Sequence, residues 1–358
     1  VTAVSTTTTA TTPAPGLDPD LRAVPRPNII RRLFASTSTW VLLVDVVLVA
    51  VFQVLSPEGA FLSLANVQSL LLGGTEALLL ALGIAILMGS GVIDFSIGGN
   101  LVLSSVTGAL TVQAIAGRPD AAGHTHDVGL AIIAGLVVAI GTGIAFGLLN
   151  GLIIAYVKIN PLIATLGTAG IALGIALVIT NGGNVSGLPT ELQTSFGLNT
   201  IAYIPLPAFV AIVLAILVHL MLRYTRFGMR LLGMGSSRSA ADRSGVDTKS
   251  MILRLTMMAG AFAGIAGFVD IARFASTSSS GHASDALNAV TAVIIGGTLL
   301  EGGRVSILGA IWGTALAIIL QQGLIVVGVP GFYQQIAIGA VLVLAVSVDR
   351  IRVARQRV

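Results

Sequence analysis

The chain has 358 residues, of which 55% are hydrophobic and only 9% charged, with 19 Lys and Arg against 15 Asp and Glu for a net charge of +4. Against roughly 25% charge in an average soluble domain, this cannot cover the surface of a soluble globule of this size. The absence of cysteine excludes disulfides, thiolate metal ligands and cysteine nucleophiles, and with aromatics at 5% there is no aromatic-basic stripe to suggest a nucleic-acid partner.

Residues 1–35 form a Thr-, Ala- and Pro-rich tail without apolar periodicity, expected to be disordered and cytoplasmic. No basic segment followed by an apolar core marks it as a secretory signal. About ten apolar stretches follow, at 38–56, 67–89, 97–116, 128–156, 161–181, 205–223, 251–273, 286–300, 305–328 and 332–348. Most approach the ~20 residues needed to cross a hydrocarbon layer about 30 Å thick. The fold class is therefore all-α: a polytopic transmembrane helix bundle of about ten helices, some of them broken, with a membrane domain at 36–350 and a basic tail at 351–358.

The cations fall in alternate connections and in the tails. Arg22, Arg26, Arg31 and Arg32 precede the first stretch; Lys158 follows the fourth; Arg223, Arg226, Arg230, Arg238, Arg243, Lys249 and Arg254 surround the connection at 224–250; Arg304 and Arg350 to Arg357 lie near the end. Arg118 and Arg273 fall on the other side. Such alternation places both termini and the 224–250 loop in the cytoplasm. The long basic loop either sets topology alone or offers a docking surface to a soluble partner.

Polar groups inside apolar runs are costly, so Asp45, Glu76, Asp94, Asp270, Arg273 and Glu301 must face protein, water or a counter-charge. Asp270 and Arg273, three apart on one helix, are expected to pair with each other at the helix end, or else to line the substrate pathway. Three interruptions stand out. The first, Gly89 to Asn100, contains Gly91, Asp94, Ser96, Gly98, Gly99 and Asn100. Broken backbone is tolerated in a membrane only where protein or a wet cavity satisfies it. Asp94 and Ser96 either cap the following helix or contact a substrate. The second runs through Gly296, Gly297, Thr298, Glu301, Gly302 and Gly303. The third, Asn160-Pro161 with Thr165 and Thr168, opens a helix on whose face both threonines bond either to their own backbone or to a passing solute. A short echo, Asn150-Gly-Leu-Ile before Pro161 and Gln322-Gly-Leu-Ile before Pro330, has the placing of an inverted repeat.

No GxxxxGK[ST] phosphate loop, HExxH or GxSxG motif occurs, and His124 and His126 do not complete a metal-ligand pattern. Neither an enzyme site, a metal site nor a cofactor of the chain's own is expected. A secondary transporter driven by an ion gradient is the alternative that composition alone leaves open.

Four strings, GVIDFSIGGNLVLSSVTGAL from 91, NGLIIAYVKINPLIATLGTAGIALGIALVITNG from 150, TRFGMRLLGMGSSRSAADRSGVDTKS from 225 and AVIIGGTLLEGGRVSILGAIWGTAL from 292, resemble the ribose/galactose-type permeases of bacterial ABC monosaccharide importers. The resemblance covers about 65–350. It implies a multi-pass subunit of the bacterial inner membrane that pairs with a second permease, identical or paralogous. It also implies two ATP-binding domains, usually fused in tandem, which hold ATP and Mg, and an extracytoplasmic sugar-binding protein. Asp94, Ser96, Asn100, Asn160, Thr165, Thr168 and Thr298 are then expected along the substrate pathway, with Gly91, Gly98, Gly99, Gly296, Gly297, Gly302 and Gly303 at helix breaks. Ser236, Arg238, Ala240, Ala241, Asp242, Arg243 and Gly245 are expected on a helix that couples to the ATPase.

Overall fold

A computed structural model describes residues 37–117, 126–279, 282, 284–331, 333, 334, 336, 339, 340 and 343. The tail at 1–35, most of the stretch 332–348 and the basic segment 351–358 lie outside the described residues, as do Arg118 and His124.

The expected stretches become α1 (Thr37–Leu55), α2 (Leu64–Gly89), α3 (Ile97–Ala116), α4 (Val128–Leu152, continued by a π-helical turn, Ile153–Val157) and α5 (Pro161–Ile179). A two-stranded hairpin, β1 (Thr200–Ile201) and β2 (Ile204–Pro205), precedes α6 (Leu206–Tyr224). Then come α7 (Arg226–Ser236), α8 (Arg238–Arg243), α9 (Thr248–Phe274), α10 (Asp285–Ile295) and α11 (Ile307–Val326). Among the described residues eight helices are long and apolar enough to cross a membrane. Their starts are written locally. The Ser63, Asn160, Thr225, Ser237, Asp247 and Ser306 side chains each accept a backbone N–H from the first turn they precede, which satisfies a donor that has no intrahelical partner.

The stretch expected at 286–300 does not span. α10 has 11 residues, about 16 Å at 1.5 Å per residue, half of a bilayer core. It ends where Gly297 and then Gly302 and Gly303 take positive φ, of 91°, 94° and 79°, a region that a side chain resists. α3 also starts part-way along the bundle. Ile97 and Ala259, the latter near the middle of α9, both lie against Gly83 of α2. The two half-height starts meet: a Cβ on Gly98 would stand 3.3 Å from the His282 carbonyl oxygen and 3.5 Å from Ala286 N.

The packing of α2 to α4 corresponds to that of α9 to α11. α2 packs on α9; α3 packs on α9 and α4 as α10 packs on α2 and α11; α4 packs on α9 as α11 packs on α2. The Asn150 and Gln322 echo falls on α4 and α11, the corresponding helices. The connection 225–247, with Lys158, marks one end of the bundle, called here the basic end.

α2 is the central post, with every residue from Leu78 to Gly89 buried. The α4–α9 contact is held by glycine. Gly143 and Gly147 of α4 sit directly on the backbone of Gly260 and Thr256 of α9. Small residues allow this approach, and in lipid it is packing that drives helix association. The outer faces of α4, α5 and α6 are apolar and exposed, including Ile133, Val137, Ile163, Leu166 and Ile216, as helices facing hydrocarbon must be.

Gly141 and Gly143 provide an internal comparison. A Cβ at Gly143 would collide with Gly260 and stand 2.9 Å from Gly264 N, whereas at Gly141 it would meet nothing within 4 Å. Gly141→Ala is expected to be neutral or to stabilise by up to about 1 kcal/mol through helix propensity. Gly143→Ala is expected to destabilise by about 1–3 kcal/mol through overpacking. Unfolding of the two variants in one detergent checks the difference.

Candidate functional site

The break between α2 and α3 is built from hydrogen bonds that replace the missing helical ones. Met88 O accepts from Gly91 N and Leu87 O from Val92 N, while Gly91 has φ 78°. Asp94 is buried, and its Oδ1 accepts from Ser96 N at 2.7 Å and from Ser96 Oγ at 2.6 Å. Ser96 therefore occupies the N-cap position of α3 without making a side-chain cap bond. Its hydroxyl gives its proton to Asp94 and accepts from Asn150 Nδ2 on α4 at 2.6 Å. Phe95 N donates to Thr165 Oγ1 on α5 at 3.1 Å. Asn100 Nδ2 donates to Gly143 O at 3.1 Å. Asp94, Ser96, Asn100 and Thr165 thus share one buried region, tied to α4 and α5.

The other pathway candidates lie elsewhere. Thr168 is buried one turn beyond Thr165 and donates to its carbonyl at 3.3 Å, as Thr165 itself donates to Pro161 O at 2.8 Å. Asn160 is exposed and caps α5 through Leu162 N. Thr298 pins the second break by accepting Ser306 N at 3.2 Å. Asn150 is the residue that sequence reasoning passed over as a site. It is fully buried, its Oδ1 has no partner among the described residues, and a lone amide inside an apolar run was the signal available.

The two breaks meet at the basic end through glycine backbone. Gly303 N donates to Gly89 O at 2.9 Å. A Cβ on Gly302 would stand 2.8 Å from Gly91 N and 2.9 Å from Gly235 Cα; one on Gly235 would collide with Gly89 O and Gly303 N. The end of α7 is therefore wedged between the end of α2 and the loop after α10. The single helix expected to carry Ser236 through Gly245 is shorter: Ser236 closes α7, Ser237 caps a separate helix, α8, and Gly245 lies beyond its end. On α8 Ala241 is buried while Arg238, Ala240, Asp242 and Arg243 are exposed. Gly245, at φ 81°, follows its C-terminus, where Val246 N returns to Ala241 O at 3.1 Å in the usual glycine stop.

In the half of the bundle away from the basic end the ion pairing differs from the sequence expectation. Arg273 NH1 lies 3.7 Å from Glu76 Oε1 on α2, and Asp270 Oδ1 lies 3.5 Å from His282 Nε2. Asp270 and Arg273 share a helix, but Asp270 is buried and Glu76 partly so, and each takes its counter-charge from a neighbouring element. His282 also bonds Asp285 Oδ2 through Nδ1 at 2.7 Å. On α1, Asp45 is buried with neither carboxylate oxygen bonded among the described residues. Among these residues no group of three or more His, Cys, Asp or Glu is placed to hold a metal ion.

His282 stands between Asp270 and Asp285 and links α9 to the start of α10. His282→Gln is expected to destabilise the chain, which thermal unfolding in detergent checks; unfolding at the wild-type temperature would remove this ion pair from the account.

Residues 66–346 match the family described as branched-chain amino acid transport system / permease component. Among curated proteins, the chain is 29% identical over 321 residues to a galactose/methyl galactoside import permease of Haemophilus influenzae, covering 87% of this chain and 94% of that protein. It is 33% identical over 305 residues to the ribose import permease of Bacillus subtilis, covering 85% and 90%. It is 29% identical over 307 residues to the D-allose transport system permease of Escherichia coli, covering 85% and 89%. No solved structure matches.

Proposed function

Given that the chain belongs to this family of transport-system permease components, we propose that it is the membrane subunit of an ATP-driven importer carrying a neutral monosaccharide or related polyol across the bacterial inner membrane. The relatives' sugars support that substrate class over an amino acid. Their description as import permeases, and the family's as one component of a system, favour this reading over an ion-gradient-driven transporter that works alone. The basic end is cytoplasmic, since the cations gather there.

One observation carries the mechanism. The exposed segment around α8 is joined by direct backbone contact, through Gly235, Gly303 and Gly89, to both helix breaks. The partner ATPases, which hold ATP and Mg, grip Ser236, Arg238, Ala240, Asp242, Arg243 and Gly245, with Ala241 anchoring the helix to the bundle. Two permease subunits, identical or paralogous, and a fused pair of ATP-binding domains complete the assembly, and an extracytoplasmic binding protein delivers the sugar at the opposite end. Closure of the ATPase pair moves α8. The glycine junction has no side chains to absorb that movement, so the breaks move with it and access alternates. A neutral sugar needs hydrogen-bonding groups along its route and no uncompensated charge. Around the first break the candidates Asp94, Ser96, Asn100 and Thr165 supply them, with Thr168, Asn160 and Thr298 towards the ends of the route.

Co-purification from native membranes, followed by ATPase assay, tests the assembly. An ATP-binding subunit should accompany the chain and be released by substitutions at Arg238 and Arg243. A chain that purifies alone and moves solute without ATP overturns the reading. Gly235→Ala is expected to cut uptake at least tenfold while the assembled complex still hydrolyses ATP. Uptake and hydrolysis falling together would place Gly235 in assembly instead of transmission. Asp94→Ala, which removes both acceptor contacts to Ser96, is expected to reduce uptake by a similar factor. Unchanged uptake at equal expression would take Asp94 out of the route.

A further inference from the structure

A cavity of about 760 Å³ opens at the basic end, between the α4–α5 connection and α8. Its charged lining consists of Lys158, Arg238 and Lys249 with Asp242 and Asp247. The two acids are already engaged. Asp242 Oδ1 accepts the Thr248 hydroxyl at 2.7 Å, and Asp247 Oδ1 accepts Ser250 N at 3.1 Å as the cap of α9. The cations are not: among the described residues none of the three has a carboxylate partner, and Lys249 lies over the Tyr156 ring at 5.5 Å. The side chains beside this cavity in sequence are apolar and exposed, with Val157 at 65%, Leu162 at 43% and Ile163 at 66%.

A wall of unpaired cations next to exposed apolar helix surface, at the level where the bundle leaves hydrocarbon, matches one chemistry: a phosphate headgroup with acyl chains attached. Basic pockets between helices on the cytoplasmic side have this character, and each cation near an anionic surface contributes about 1 kcal/mol. The volume suits a headgroup and its glycerol, within the ~300–1,000 Å³ of small-molecule sites. We infer that this cavity binds the headgroup of an anionic phospholipid, with the phosphate between Lys158, Arg238 and Lys249 and the acyl chains along Leu162 and Ile163. Because Arg238 opens α8 while Lys158 closes α4, the bound lipid ties the α8 segment to the membrane-embedded helices. Arg238 and Asp242 also belong to the proposed ATPase contact, so the test changes Lys158 and Lys249, which line the cavity outside that contact.

The experiment uses the full chain in neutral detergent. Thermal unfolding is followed with added phosphatidylglycerol, phosphatidylcholine or inorganic phosphate, for wild type, Lys158→Gln/Lys249→Gln and the control Arg230→Gln. Wild type and control are expected to be stabilised by several degrees by phosphatidylglycerol only, and the double variant to bind it about ten- to thirty-fold more weakly. An equal response to phosphatidylcholine, an undiminished response in the double variant, or full reproduction by inorganic phosphate would overturn the lipid assignment. Loss of a co-purifying soluble partner without any change in lipid response would also overturn it and give the cavity to that partner. Should the double variant not fold, Lys158→Gln alone is compared by native mass spectrometry, in which retained phosphatidylglycerol at wild-type occupancy counts against the site.

Discussion

A peptide group without a hydrogen-bond partner in hydrocarbon costs several kcal/mol, and this constraint organises the whole bundle. The chain leaves helical geometry after α2 and after α9, before the half-height starts of α3 and α10, and again after α10. The first departure is enclosed. Phe95 N finds a threonine hydroxyl on α5, Ser96 N finds Asp94, and Ser96 Oγ bridges to Asn150 on α4. Polar residues in this membrane domain are there first because the backbone needs them. Their availability to a solute follows from the same fact, since a break that must be sheathed by protein is also where hydrogen-bonding side chains gather.

Close approach without side chains is the second organising feature. Along α4 and α9 it lets two helices pack backbone to backbone. At the basic end it does something different, because Gly89, Gly235, Gly302 and Gly303 belong to three separate elements that would otherwise be held apart by a Cβ. A contact of that kind is stiff. Displacing one partner displaces the others, which suits a joint between an exposed segment and the buried breaks.

The two ends of the bundle are also unlike in charge. In the half of the bundle away from the basic end, charges are paired across elements: Glu76 with Arg273, and His282 with both Asp270 and Asp285. At the basic end the cations around the cavity are left unpaired, while the neighbouring acids hold Thr248 and Ser250. Paired charges fix a structure; unpaired ones at a membrane boundary invite an anion.

Apolar run length and capping residues are local properties, so the membrane class and the positions of α1 to α6, α9 and α11 were legible to within a few residues. So was Pro161 at the start of α5, because a fixed φ is a demand of a single residue. Family membership was legible too, in four motifs in order along the chain. Gly98 and Gly99, expected at the break, lie instead in the first turn of α3; the other misassignments were long-range. Asp270 and Arg273 stand at pairing distance along a helix, yet each takes its partner from another element, because counter-charges inside a bundle are supplied by whatever packs alongside. The apolar stretch at 286–300 reads as a span but is half of one, since hydropathy does not register that its N-terminus starts against Gly98 in mid-bundle. The role of Asn150, and the meeting of Gly89, Gly235 and Gly303, depend on residues far apart in the chain, and only the packing of α2, α4, α7 and the loop after α10 brought them together.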